Sequence, residues 1–348
     1  MDKNVNSCDL AAVNPLVSIA AGHIRRILTT SIKRAPEARV LVVVDRQSGL
    51  AQIMADAYQE AIPDAQFINF DETEQPTILR EINKLSPGDV VALVQSTSFR
   101  LNEFRLRLEL FARKLKTVEH VHLGRMPEGE WATWIDALSF NPDTDGERGR
   151  NLKKILDAAS RVEVDCGGSI LTWEGGMEAA KLNIGDYTGM ENIGGTFPIG
   201  EVFTEARDLT KVNGELKIYA FADADFLVRF YEPPFTAIVR DGLIEPGPDA
   251  PEAFVAVMEK IKADERPLVR EFGLGLNRAI SRQKPVVDIT AFERVNGLHL
   301  SLGEKHGVYK KPGFVPHHTK YHVDVFPAVD KITVDERVIF EKGDFLVG

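Results

Sequence analysis

Cysteine is nearly missing from this chain, with Cys8 and Cys166 the only two. That excludes a disulfide framework and a C-x-x-C metal knuckle, and it fits a reducing cytosol. A basic surplus is missing too: 52 acidic residues against 42 Lys and Arg leave a net charge of -10. Nothing is left over to neutralise phosphates, so nucleic acid is not an expected partner. No run approaches the ~20 apolar residues of a membrane span, and the N-terminus lacks a basic-then-apolar signal pattern. The expectation is a cytoplasmic protein with no membrane partner. No G-x-G-x-x-G follows a strand; Val44-Asp45 leads instead into Arg46-Gln47-Ser48-Gly49, which gives poor support to a dinucleotide role. Internal repeats and low-complexity segments are also absent.

What the chain does have is an ordinary globular composition, 44% hydrophobic and 27% charged over 348 residues. That length accommodates two domains, each with its own core. Residues 1–160 read as an α/β domain with a parallel sheet and crossover helices. Helical periodicity runs over 16–33, with Ile19, Ala20, Ile24, Ile27 and Leu28 on one face. The run Arg39-Val-Leu-Val-Val-Val-Asp45 is a strand buried on both faces. Helices over 48–61 and 76–85 alternate with strands over 66–70 and 89–95. An arginine-rich amphipathic helix over 101–115 leads to a strand over 118–123, and a last helix lies around 150–161.

Residues 161–348 read as a mixed α+β, metal-binding domain. It opens with a hairpin over 161–173 turning at Gly167-Gly168. Strands over 214–221, 235–240 and 286–290 and a helix over 249–263 follow. The last third also carries five of the eight histidines: His299, His306, His317, His318 and His322.

Candidate ligands sit in four motifs. In Phe197-Pro-Ile-Gly-Glu-Val-Phe-Thr204, a Pro-x-Gly turn sets Glu201 at the start of a strand. In Arg270-Glu-Phe-Gly-Leu-Gly-Leu-Asn277, Glu271 stands among apolar residues and glycines, where a buried carboxylate needs a cation. Gly297-Leu-His-Leu-Ser-Leu-Gly303 alternates as a strand and puts His299 between leucines. In Tyr321-His-Val-Asp324, strand period two aims His322 and Asp324 at one point. Three carboxylates and two imidazoles suit first-row divalent ions, and such a set can hold two of them about 3.5–4 Å apart. Each motif has a plainer reading. Glu201 is solvated, His299 is a core residue, Glu271 pairs with Arg270 or Arg278, and His322 and Asp324 pair with each other. His317 and His318, beside Pro316, read as surface residues.

Taken in order, the four motifs resemble the M29 (thermophilic, aminopeptidase T) family of metallo-aminopeptidases, over about 160–348. The resemblance implies Glu201, Glu271, His299, His322 and Asp324 as ligands of two divalent metal ions (zinc, cobalt or manganese), with Glu271 or Asp324 bridging. It implies hydrolysis of N-terminal peptide or small amide bonds by metal-activated water, with Glu271 essential to turnover, and a homodimer. The family has a tyrosine soon after the third motif; here Glu304-Lys-His-Gly-Val-Tyr309 offers His306 at that spacing, with Tyr309 nearby. Either is the candidate to stabilise the oxyanion or protonate the leaving amine. Glu205-Ala-Arg207 also replaces a usual Ala-Pro. The chain is similar, more distantly, to 2,5-dihydroxypyridine dioxygenases. These imply one Fe(II) at the final His-x-Asp, but carry histidine where this chain has Glu271. A metal-stabilised interaction protein without catalysis is the third alternative.

Overall fold

The computed structural model describes residues 14–101, 104–223, 225–311 and 319–347. His317 and His318 lie outside them. The first half supplies four strands of a five-stranded parallel sheet in the order Gly194–Thr196, Lys116–His120, Val90–Val94, Val40–Val44, Gln66–Asn69. The two central strands are buried along their whole length. Val40, Val42, Val44, Val90, Ala92 and Val94 face one apolar core, while Leu41, Val43, Val91 and Leu93 face the other. A continuous β-branched run is the sequence expression of a strand covered on both sides. Each such side chain contributes roughly 1.5–3 kcal/mol by leaving water.

Helices Pro15–Arg26, Gly49–Ala61 and Gln75–Asn83 stand close to the positions their periodicity predicts. Asn14 and Ser48 cap the first two by accepting from backbone N–H groups of Leu16 and Ala51. The expected 101–115 helix is a correction. Only Leu106–Ala112 is helical, because Arg100–Leu101 and Phe104–Arg105 pair as a short hairpin and Lys114, at φ 57°, stops the helix. The helix expected around 150–161 runs earlier, as Asp145–Ala158, because the chain is already extended at Arg161.

From Arg161 the chain builds a large curled antiparallel sheet, thirteen-stranded among the described residues. The hairpin Arg161–Cys166 and Ser169–Glu174 forms as its Gly-Gly turn requires, with Gly167 and Gly168 both at positive φ. The strand expected over 286–290 does not form. Buried Asp288 takes Arg125 and the Thr290 hydroxyl, and a short helix Ile289–Phe292 begins there. The functional part of the sheet is four neighbouring strands in the order Val323–Pro327, Gly297–Leu302, Val269–Gly275, Glu201–Thr204. The edge strand Gly194–Thr196 of the parallel sheet comes from this second half, a few residues before Glu201. The two sheets therefore meet beside the site.

Candidate metal centre

Strand register decides which side chains meet. Glu201 lies opposite Gly275, Gly273 opposite His299, and Ser301 opposite Asp324. With period two, Glu201, Glu271, His299, Ser301 and Asp324 all project from one face of the four strands. His322 sits one residue before its strand and still reaches the same face.

Local sequence explains each placement. Gly200, at φ 122°, delivers Glu201 to its strand, and a Cβ there would meet the Phe140 ring at 2.7 Å. Gly273 carries no side chain because the His299 imidazole lies across it; a Cβ would stand 2.2 Å from Nε2. Glu271 is fixed from behind, its backbone N–H donating to the Ser301 hydroxyl at 3.0 Å.

Glu201, Glu271 and His299 are buried and offer ligand atoms within 4.8 Å of one another. His299 Nε2 is 3.3 Å from Glu201 Oε1 and 3.2 Å from Glu271 Oε1. The other Glu271 oxygen is 3.0 Å from His306 Nε2. Glu271 therefore pairs with two imidazoles, while Arg270 is buried against Glu205 and Arg278 reaches Asp344. His322 Nε2 stands 3.3 Å from Asp324 Oδ1. His322 Nδ1 lies 3.1 Å from the Lys305 carbonyl, so the Nδ1–H donates there and Nε2 is left facing the site.

Arg294 is the member that sequence reasoning missed. Its Nη1 binds Glu201 Oε2 and its Nη2 lies 2.7 Å from Glu293. An arginine in a connecting loop carries no motif, and only the fold brings it under Glu201. Tyr309 is placed differently from His306. Its hydroxyl donates to the carbonyl of Ala179, at 2.8 Å, with the Phe203 carbonyl 3.3 Å away, while its ring lies 4.9 Å from the His306 ring.

Charge in this pocket is unbalanced toward anions. Burial alone raises the Glu271 carboxyl, but the His299 and His306 imidazoles reverse this and hold it well below the usual carboxylate range. Burial lowers His299, yet Glu201 and Glu271 outweigh it and hold the imidazole well above its ordinary value. For His322 burial is likewise overcome by Asp324, and the imidazole is pushed up to about 10. Burial beside these anions pushes Glu293 up to about 8. The imidazoles thus take up protons to offset carboxylates, which is the work a divalent ion does on loading. Asp324 Oδ1 is buried without a hydrogen-bond partner although charged atoms lie near. A convergent set of carboxylate and imidazole donors with an unsatisfied carboxylate oxygen fits a metal ion.

His306 differs in one respect. Its Nδ1 accepts from the backbone N–H groups of Val308, at 3.2 Å, and Tyr309, at 3.5 Å. The ring proton is thereby placed on Nε2, aimed at Glu271. In this tautomer His306 donates a proton and offers no lone pair to a metal.

No family model matches the sequence, and no curated relative does so at a significant level. Among solved structures the chain is similar to wild-type AmpT from Thermus thermophilus, with a TM-score of 0.58 and 13% identity, over 94% of this chain and 99% of that one. At that identity the likeness is one of fold. No helix among the described residues is long and apolar enough to cross a membrane.

Proposed function

We propose that this chain is a metal-dependent hydrolase of N-terminal peptide or small amide bonds, in the manner of an aminopeptidase. The observation that carries the reading is the convergence of Glu201, Glu271 and His299 on one sheet face in an AmpT-like fold, with His322 and Asp324 beside them. Glu201, Glu271, His299, His322 and Asp324 would hold one or two divalent ions. When bound, such ions lower the pKa of water and polarise a carbonyl. The protein's own groups do the rest. Arg294 holds Glu201 in place through one oxygen and leaves the other facing the site. Glu271 stays ionised and can pair with a substrate amine. His306 carries its proton on Nε2, positioned to donate a hydrogen bond to a developing oxyanion.

A second reading has one observation in its favour. Glu271 lies between His299 and His306, the two-histidine, one-carboxylate composition of mononuclear iron oxygenases. The His306 tautomer counts against it, since its lone pair is spent on backbone N–H groups.

The test is metal content per chain after reconstitution with zinc, cobalt, manganese or iron, together with turnover of aminoacyl amides. Bound metal lost in Glu201→Ala, and hydrolysis lost in Glu271→Gln with the fold retained, support the hydrolase. Full activity in Glu271→Gln sinks it. Oxygen uptake dependent on a single iron transfers the assignment to the oxygenase.

A further inference from the structure

A loop that holds a side chain in one orientation needs fixed ends, because exposed backbone otherwise samples many conformations. The loop from Glu304 to Tyr309 carries His306 with no helix or strand of its own, and Lys305, Gly307 and Val308 are exposed. The His306 side chain is nevertheless only 2% exposed, with Nε2 3.0 Å from Glu271. Something outside the loop must fix the ring.

Arg270 is placed to do so. It precedes Glu271 on the strand Val269–Gly275, where the pairing with Gly297–Leu302 shifts register between Val269 and Phe272. A bulge of this kind re-aims side chains. The Arg270 side chain is 1% exposed, and its guanidinium engages three separate acceptors. Nη1 donates to the Glu304 carbonyl at 2.5 Å and Nη2 to the Tyr309 carbonyl at 3.3 Å, so one planar group ties both ends of the loop. Nε donates at 2.8 Å to Glu205, whose side chain is fully buried. Lys311, just past the loop, lies 3.5 Å from the other Glu205 oxygen and donates to the Ala206 and Arg207 carbonyls at 2.8 and 2.9 Å. The Glu304 N–H is held in turn by Glu265, at 2.7 Å. An arginine fork spans three acceptors with one charge, whereas a lysine ammonium acts from a single point. A buried ion pair alone would argue only for packing. What makes this one specific is adjacency: neighbouring residues of one strand hold the loop's backbone and receive its imidazole.

We propose that Arg270 is a positioning residue for His306. It fixes the loop so that the ring keeps Nδ1 toward the Val308 and Tyr309 N–H groups and Nε2 on Glu271. Resting on the hydrolase reading, Arg270 then acts on kcat through His306 and not through metal binding.

Arg270→Lys keeps a charge opposite Glu205 and loses the fork. Should that variant fail to fold, Arg270→Gln combined with Glu205→Gln removes both buried charges together and is read in the same way. Nitrogen NMR of the full, metal-free chain with labelled histidine, at fixed neutral pH, reads the His306 tautomer, and His306→Gln assigns its signals. The wild type should show one tautomer, protonated on Nε2, and the variant a mixture. In the metal-loaded chain, Arg270→Lys should lower kcat on aminoacyl amides by about tenfold or more, with metal content and KM unchanged. In the His306→Gln background the same substitution should cost nothing further. An unchanged His306 spectrum overturns the inference, as does a kcat loss that multiplies with that of His306→Gln. Bound metal lost along with kcat also overturns it, by placing the effect on Glu271. A chain that cleaves no amide yet shows the tautomer change keeps the positioning role and loses the hydrolase reading.

Discussion

Gly273 faces His299 across two paired strands, and the imidazole occupies the space a side chain at 273 would need. The strand's backbone tolerates any residue there, so the glycine is set by the ligand and not by a turn. Gly273→Ala must push the ring off Glu201 and Glu271. We expect metal affinity to fall at least tenfold, with a loss of about 1–3 kcal/mol of stability from overpacking. Metal titration and urea unfolding of the variant measure both, and wild-type affinity would show that the imidazole is not a ligand.

His306 and Glu271 separate oxyanion stabilisation from metal binding. If His306 donates a hydrogen bond to the developing oxyanion and does not ligate, His306→Gln retains wild-type metal content while kcat falls by about 10²-fold or more. Elemental analysis beside kcat and KM distinguishes the cases. Loss of metal along with activity would make His306 a ligand and return weight to the oxygenase.

The reach of the sequence is uneven for physical reasons. The strand at Val40–Val44 was legible because burial on both faces leaves only apolar residues. Glu201, His299 and Asp324 were legible because strand period and glycine spacing expose them as oddities in apolar runs. The meeting of Glu201, Glu271 and His299 on one face was expected only through motif order, since register between strands far apart in the chain is not written locally. Arg294 was invisible for the same reason. The strand expected over 286–290 failed because Arg125, far away in sequence, pairs with Asp288 and helps turn the chain there. The misjudged 101–115 helix shows amphipathic pattern losing to a local hairpin.

Away from the site, His120 gives a pH signature of folding. It is fully buried, its Nε2 2.9 Å from the Tyr58 hydroxyl and its Nδ1 3.4 Å from the Phe197 carbonyl. Burial pushes the imidazole down to about 4, against 6.5 when free. Between those values the unfolded chain binds a proton that the folded chain refuses. Stability is therefore intact above pH 6.5 and falls as pH drops toward 4, by up to about 3 kcal/mol from this residue. Carboxylates add their own dependence, so the measurement is the difference in urea stability between wild type and His120→Gln across that window. A difference constant with pH would refute the assignment.

Arg294 tests whether the site is built for a cation. Without metal it is the one permanent positive charge bound to Glu201 among the described residues, and both side chains are more than nine-tenths buried. Breaking a buried pair by removing one partner costs about 3–5 kcal/mol, because the remaining charge is left unpaired. Arg294→Gln should therefore destabilise the metal-free chain by that order. A divalent ion at Glu201 and Glu271 supplies the missing charge, so added zinc or cobalt should raise the melting temperature of the variant more than that of the wild type. Equal shifts in both would mean that the ion and Arg294 do not share Glu201. No metal-dependent shift in either would mean that the buried carboxylates are balanced by protons on His299 and His322 alone.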